Sequence, residues 1–320
     1  MENRKGESPM PVFDLHCDTL TAFMSPLRCR DTLNDPCSAF ALSKVQTIPW
    51  CQCCAVFVPD GLTPQEALSY YRYHRDSFQR QVQGCQGQAL ACTTAREVSA
   101  AWEQGKTALV LTVENGSLLG AGLEHVEELR RDGVRMLTLT WNGENALGSG
   151  HETDHGLTPL GKEAVRALEE TGIVVDVSHL NDAGFRDVLD IAQRPFAASH
   201  SNARAVCAHR RNLEDWQIQE MVMRNCIIGL NYYSPFLRSD GEEADFDDLY
   251  RHICRFLELG AEDCLALGSD FDGADLPPCL DDCRKVPALA EYLMDRGLSH
   301  SLAEKLFWKN ALDFTQKNWR

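Results

Sequence analysis

Short apolar runs recur along the chain: VFDLHCD, CQCCAVFV, ALVLTVE, RMLTLTW, IVVDVSH, FAASH, IIGLNYY and LALGSDFD. Each has the length of a strand, and several alternate apolar with polar positions, the period of a strand. Between them lie stretches with helical spacing, such as LEHVEELRRDG, PLGKEAVRALEETG, LNDAGFRDVLDIAQ and DFDDLYRHICRFLELG. Gly133, Gly172 and Gly260 end three of these, as C-terminal caps should. No linker, repeat or low-complexity segment interrupts the alternation. The pattern predicts one α/β domain over 1–320, a (β/α)8 TIM-like barrel, with a doubly wound open sheet as the alternative. The position of the polar residues favours the barrel. His16, Asp18, Glu114, Asn142, His179, His200, Asn231 and Asp270 all gather at the C-terminal ends of the runs. In a barrel these ends converge on one mouth, whereas strands far from the switch point of an open sheet have no reason to be polar there.

Composition narrows the partners. The chain is 44% hydrophobic and 24% charged, and 31 basic against 47 acidic side chains leave a net charge of −16. Nucleic acid and anionic membrane surfaces are therefore not expected partners. No apolar run approaches the ~20 residues of a membrane span. MENRKGESPM lacks the apolar core of a signal peptide and FTQKNWR the tail of a lipid-anchor signal, so a cytoplasmic protein is expected. The 14 cysteines do not read as a disulfide framework. Cys51, Cys53 and Cys54 crowd into one strand, and Cys17, Cys226 and Cys264 sit in apolar surroundings, as reduced buried thiols do. A metal site at 51–54 would need a fourth ligand and a loop.

In FDLHCDTL, Phe13, Leu15 and Cys17 alternate with Asp14, His16 and Asp18, which places His16 and Asp18 on one face of a strand end. Imidazole nitrogen and carboxylate oxygen are ligands for Zn2+ and similar cations. A lone pair of this kind is often only a solvated rim. Glu114, His179 and His200 repeat the placement at other strand ends. Five such donors fit a two-metal site, in which one carboxylate bridges cations roughly 3.5–4 Å apart. Each donor also has a plainer reading. Glu114 could start a turn, His179 could cap the helix beginning near Asn181, and SHSNARA could be a run of helix-entry caps around His200.

These segments together resemble the renal (membrane) dipeptidase family of zinc metallopeptidases, amidohydrolase-like barrels. The resemblance runs from DLHCD through VENG, RMLTLTWN, GLTPLGKEAVRALEETGIVVDVSHL and ASHSNARAVCAHRRNL to LGSDFDG. It implies two Zn2+ ions per chain, with His16 and Asp18 on one, His179 and His200 on the other, and Glu114 between them. It implies hydrolysis of dipeptides, L-L or L-D, by a metal-activated hydroxide, and a homodimer. A leaving amine needs a proton carrier. Asp270 is the best-placed carboxylate, Asp272 competes with it, and the resemblance selects Asp270. Recognition of a free C-terminal carboxylate suits a guanidinium. The resemblance selects Arg211 over Arg210, against the plainer reading of a surface pair with Glu214 or Asp215.

Two positions depart from the mammalian members. Trp141 stands where they carry a substrate-contacting histidine, and Phe236 where they carry a tyrosine near the substrate carboxylate. Asn142 or Asn145 is then the expected support for the transition state. Cys207 matches a disulfide cysteine of secreted members, but no partner lies near residue 239. HETDH, residues 151–155, matches a zinc-protease motif that requires a helix, and the glycines on both sides predict a loop instead. Two other functions stay open: a related barrel hydrolase of another amide or ester, and a non-catalytic metal-binding barrel.

Overall fold

The structure, a computed structural model, describes residues 9–21 and 32–319. The reading of MENRKGESPM as lacking an apolar leader therefore falls mostly outside it, as do Cys29 and Arg320. Nine strands appear among the described residues: β1 (Val12–Cys17), β2 (Trp50–Phe57), β3 (Ala89–Ala91), β4 (Thr107–Glu114), β5 (Met136–Thr138), β6 (Val174–Asp176), β7 (Ala197–Ala198), β8 (Ile227–Leu230) and β9 (Leu265–Leu267). All pair in parallel. The pairings β1–β2, β2–β4 and then β4 through β9 back to β1 close an eight-stranded barrel. Helices run between successive strands, so the expected (β/α)8 barrel is the fold. β3 was not legible in advance. Its three residues pair only with Thr107–Leu109, below the stretch of β4 that meets β5.

Two apolar layers hold the barrel. Phe13, Leu15, Cys51, Cys53, Ala108, Val110, Met136, Val174, Ala197, Ile227 and Ala266 form one cluster, joined by Phe314 of the C-terminal helix (Asn310–Asn318) and by Trp319 just past its end. The opposite strand faces, including Val56, Leu109, Leu111, Val113, Leu137, Val175 and Ile228, pack with Leu129, Val165, Leu168, Phe185 and Phe256 of the surrounding helices. Alternation along each strand sorts the residues between the two layers. The helices are well started: Thr63 and Glu66 form a reciprocal capping box on the helix Pro64–Gly84, worth about 1 kcal/mol. Gly133 and Gly172 take the left-handed conformation just past their helices, as expected.

One strand breaks the simple alternation. In β1, Phe13 and Leu15 belong to the inner cluster but Cys17 belongs to the outer one. Asp14 pairs with Gln52 and Cys17 with Cys54, so three steps on β1 match two on β2. The expectation that Phe13, Leu15 and Cys17 share one face is thus corrected by a β-bulge. Without it, His16 would follow Asp14 to the outer face; the extra residue turns it into the mouth.

The barrel wall also closes tightly. A Cβ at Gly229 would lie 1.9 Å from Ser199 O, and one at Gly268 would lie 2.0 Å from the same oxygen. Gly229→Ala should therefore cost at least about 1–3 kcal/mol through backbone displacement. Thermal denaturation reads this directly, and an unchanged melting temperature would contradict the packing described.

Candidate active site

The C-terminal strand ends deliver six chemically active side chains to one place. His16 comes from the bulged end of β1, and Asp18 follows it, its N–H donating to Phe271 O at 2.8 Å. Glu114 is the last residue of β4. His179, His200 and Asp270 lie just beyond β6, β7 and β9. All six are buried. His179 and Asp270 hold φ values of 70° and 65°, a region unfavourable for residues with a Cβ.

The two oxygens of Glu114 face different partners. Oε2 lies 3.6 Å from His16 Nε2. Oε1 lies 2.7 Å from His179 Nε2 and 3.5 Å from His200 Nε2. On the first side His16 Nε2 is also 3.4 Å from Asp18 Oδ2 and 3.8 Å from Asp270 Oδ1. On the second side the two Nε2 atoms of His179 and His200 are 3.0 Å apart. The tightest donor groups are His16, Asp18 and Asp270, and His16, Glu114 and His200, with His179 adjoining through Glu114.

The surroundings suit a cation. Asp18 Oδ1 is buried with no hydrogen-bond partner. Burial, with Asp18 alongside, pushes the Glu114 carboxyl up to about 8. Burial also raises Asp270. Burial opposes charge on His16 too, but Asp18 and Glu114 outweigh it and hold its pKa well above the usual value, the mark of a position where the surrounding negative charge favours a cation. Burial holds His179 and His200 well below the usual range, which keeps them neutral lone-pair donors.

Neighbours decide which nitrogen of each ring is free. Asn142 Oδ1, which only accepts, is 2.9 Å from His179 Nδ1. Ser199 donates to Asp176 Oδ2 at 2.5 Å, so its oxygen is left to accept from His200 Nδ1 at 2.7 Å. Both protons therefore sit on Nδ1, and both Nε2 lone pairs point at the site. Asp176 is itself fixed by Thr138 Oγ1, Ser178 N and Ser199 N. Sequence reasoning missed Asp176 and Ser199, because both sit where ordinary strand alternation already accounts for them.

The competing readings separate in space. Asn115, not Glu114, caps the turn that follows β4, and Asn181, not His179, caps the helix Asp182–Ile191. Asp272 is engaged elsewhere, accepting from Thr19 Oγ1 at 2.6 Å and from the N–H groups of Ala39 and Phe40. Asp270 accepts from Asn231 Nδ2 through Oδ2 and turns Oδ1 toward His16. Residues 151–155 form turn and loop, as expected, with His155 exposed and His151 on the mouth. Cys51, Cys53 and Cys54 divide between the two apolar layers, and no cysteine joins a cation-binding group among the described residues. Cys207 is buried and unpaired.

Above the six residues opens a cavity of about 790 Å3, lined by Trp141, Asn142 and Phe236 together with Phe57, Asp60, His151 and His209. Asn145 instead braces its own loop, donating to Asn115 Oδ1 and Leu139 O and accepting from Leu147 N and Gly148 N. Arg211 lies buried beside the cavity. Its Nη atoms donate to Ser201 Oγ and His200 O, Nε has no partner, and its Cζ is 5.6 Å from the Phe236 ring centre. Glu214 and Asp215 pair with Arg204 and Arg255 instead.

A barrel with buried histidines and carboxylates converging at its C-terminal mouth defines a metal-dependent hydrolase of the amidohydrolase kind. Residues 4–318 match the family described as membrane dipeptidase (peptidase family M19), and the chain belongs to it. It is accordingly a metallo-dipeptidase, a hydrolase of peptide bonds. The crystal structure of dipeptidase AC, a metallopeptidase of family M19, superposes with a TM-score of 0.91 at 28% identity, covering 98% of this chain and 99% of that one. A metallopeptidase from Rhodobacter sphaeroides, liganded with a phosphinate mimic of the dipeptide L-Ala-D-Ala, superposes equally well, TM-score 0.91 at 26% identity, over 97% and 100% of the two chains. An uncharacterized protein in the pqqA 5' region of Klebsiella pneumoniae is 32% identical over 246 residues, 73% of this chain and 90% of that one. No helix among the described residues is long and apolar enough to cross a membrane.

The division between Asp270 and Asp272 has a measurable consequence. Asp272→Ala strands three donors and should destabilise the fold by about 2–4 kcal/mol, since bonds to a charged acceptor are worth ~1.5–3 kcal/mol each before relaxation. Asp270→Ala removes one listening partner, Asn231, and should cost less. Equal melting temperatures for the two variants would contradict the roles drawn from their contacts.

Proposed function

We propose that the chain is a binuclear zinc dipeptidase, a single barrel domain that works as a homodimer on L-Xaa-L-Xaa or L-Xaa-D-Xaa substrates. The observation that carries this reading is the division of Glu114, one oxygen toward His16 and the other toward His179 and His200. His16 and Asp18 would hold one cation and His179 and His200 the other, with Glu114 shared between them. Nitrogen and oxygen donors of this kind suit Zn2+. When bound, such cations would supply an acidified water and a polarised scissile carbonyl. Asp270 takes the proton of the attacking water and returns it to the leaving amine. Its Oδ1, turned toward His16 and the mouth, places the carboxylate where that proton would pass. Arg211, whose charge reaches Asp270 and Glu114, anchors the substrate's C-terminal carboxylate through its unpartnered Nε and its remaining N–H groups. Trp141, Asn142 and Phe236 shape the wall, and Asn142 also orients His179. The dipeptide mimic bound by the Rhodobacter relative supports the substrate class. Trp141 and Phe236 also keep a second reading, a barrel hydrolase of another amide or ester.

Elemental analysis should find two divalent cations per chain, and His179→Ala should retain the fold but lose tight binding of one ion and nearly all turnover. One ion or none, with no activation by added metal, or near-normal turnover of the variant, would contradict the assignment.

Arg211 gives a sharper substrate test. A dipeptide should be cleaved and its C-terminal amide should not, and Arg211→Ala should lose about ten- to a hundredfold in kcat/KM together with that discrimination, the effect of one two-pronged charged contact. Arg211→Lys should rescue only in part, because an ammonium cannot present a planar fork. Equal cleavage of acid and amide by the parent enzyme would remove Arg211 as the anchor.

A further inference from the structure

Asp60 is the feature of the mouth that the reaction leaves unexplained. It lines the cavity with Phe57 and Trp141, whose rings stand edge to face with centres 4.9 Å apart. Its two oxygens are built into the wall. Oδ1 accepts from Asn115 Nδ2 at 3.0 Å and Oδ2 from Gly143 N at 2.8 Å. A carboxylate has about four acceptor positions, so each oxygen keeps capacity for another donor. Among the described residues no lysine or arginine pairs with Asp60, and none lines the cavity. The other lining carboxylates are accounted for. Asp18 and Glu114 belong to the cation site, Asp270 to proton transfer, and Asp272 to Thr19, Ala39 and Phe40. Asp275 stands at the exposed rim. Asp60 is half-buried and fixed, and among the described residues it has no counter-cation, an arrangement that favours a cation arriving from outside.

Height above the reaction centre says which cation. Phe57 is the register partner of Glu114, and Asp60 lies three residues further on, a rise of at most roughly 10 Å. Asn115 and Gly143, which hold it, also lie beyond the strand ends. A dipeptide's α-amine is tied through one carbon to the scissile carbonyl and stays near the level of Glu114. The charged end of a long side chain on the same residue rises higher. We propose that Asp60 receives the cationic side chain of a lysine or arginine at the N-terminal position of the dipeptide, its alkyl stem lying along Phe57 and Trp141. Long basic side chains bury such stems against apolar surface while keeping the charge on a polar partner. The site then has a polarity of its own, with Asp60 in the cavity wall for the first side chain and Arg211, buried beside the cavity, for the C-terminal carboxylate. This specificity rests on the dipeptidase reading above.

The test is a matched substrate series with the metal-loaded enzyme: Lys-Ala, Arg-Ala, Met-Ala, Glu-Ala and, as positional control, Ala-Lys. Lys-Ala and Arg-Ala should exceed Met-Ala by about tenfold or more in kcat/KM, the scale of one charge-assisted contact. Glu-Ala should be poorest, Ala-Lys should gain nothing over Met-Ala, and the preference should shrink in high salt. In Asp60→Asn, which keeps an acceptor in the wall, the Lys-Ala to Met-Ala ratio should fall to within about threefold, whatever happens to the absolute rate. The ratio in the parent enzyme decides the matter even if the variant folds poorly. Equal cleavage of Lys-Ala and Met-Ala, or an unchanged ratio in Asp60→Asn, would overturn the role of Asp60 and leave the dipeptidase reading intact. Failure to cleave every dipeptide would overturn both.

Discussion

Asp18, Glu114 and Asp270 bring three carboxylates into one buried mouth, and no lysine or arginine forms an ion pair with any of them among the described residues. Like charges held this close, away from water, repel and lose solvation together. The site is therefore organised around a need for positive charge. Asp18 and Glu114 accordingly hold the pKa of His16 well above its usual value, and the charge of Arg211 reaches Glu114 and Asp270 from a distance. The rings of His179 and His200 are kept neutral with their lone pairs turned inward by Asn142 and by the Ser199–Asp176 pair. Each of these details suits a site that binds a metal ion.

The backbone bears the cost of this convergence. Asn115, His179, Asp270 and Asp272 all carry positive φ, four of the five described non-glycine residues that do, and all lie at or beside the mouth. Such conformations cost about 1–3 kcal/mol each and persist where the surroundings over-determine them. The bulge in β1 is a further local irregularity in the same place. The lower barrel contrasts with this: its inner layer of Phe13, Val110, Met136, Ile227 and Phe314 is buried and apolar. A stable apolar base thus supports a strained polar rim, a division of labour common to barrel enzymes.

The strand-end donors were legible because period-two runs mark strands and the residues ending them were chemically conspicuous. That is why His16, Asp18, Glu114, His179, His200 and Asp270 could be named before their geometry was known. The bulge was not legible, since a two-residue alternation reads the same with or without one extra residue opposite β2. β3 was too short to show a period. Asp176 and Ser199 looked like ordinary strand residues, and their part in fixing His200 depends on contacts between neighbouring strands. Asp60 sits in VPDG, which reads as a turn, and only the packing of Phe57 and Trp141 around it shows a wall.

The proposed bridging by Glu114 is the central claim. Crystals grown with zinc, measured by anomalous diffraction at the zinc edge, test it most directly. Two peaks are expected, one beside His16 and Asp18 and one beside His179 and His200, each in contact with a different oxygen of Glu114. A single peak, or two peaks of which only one touches Glu114, would contradict it.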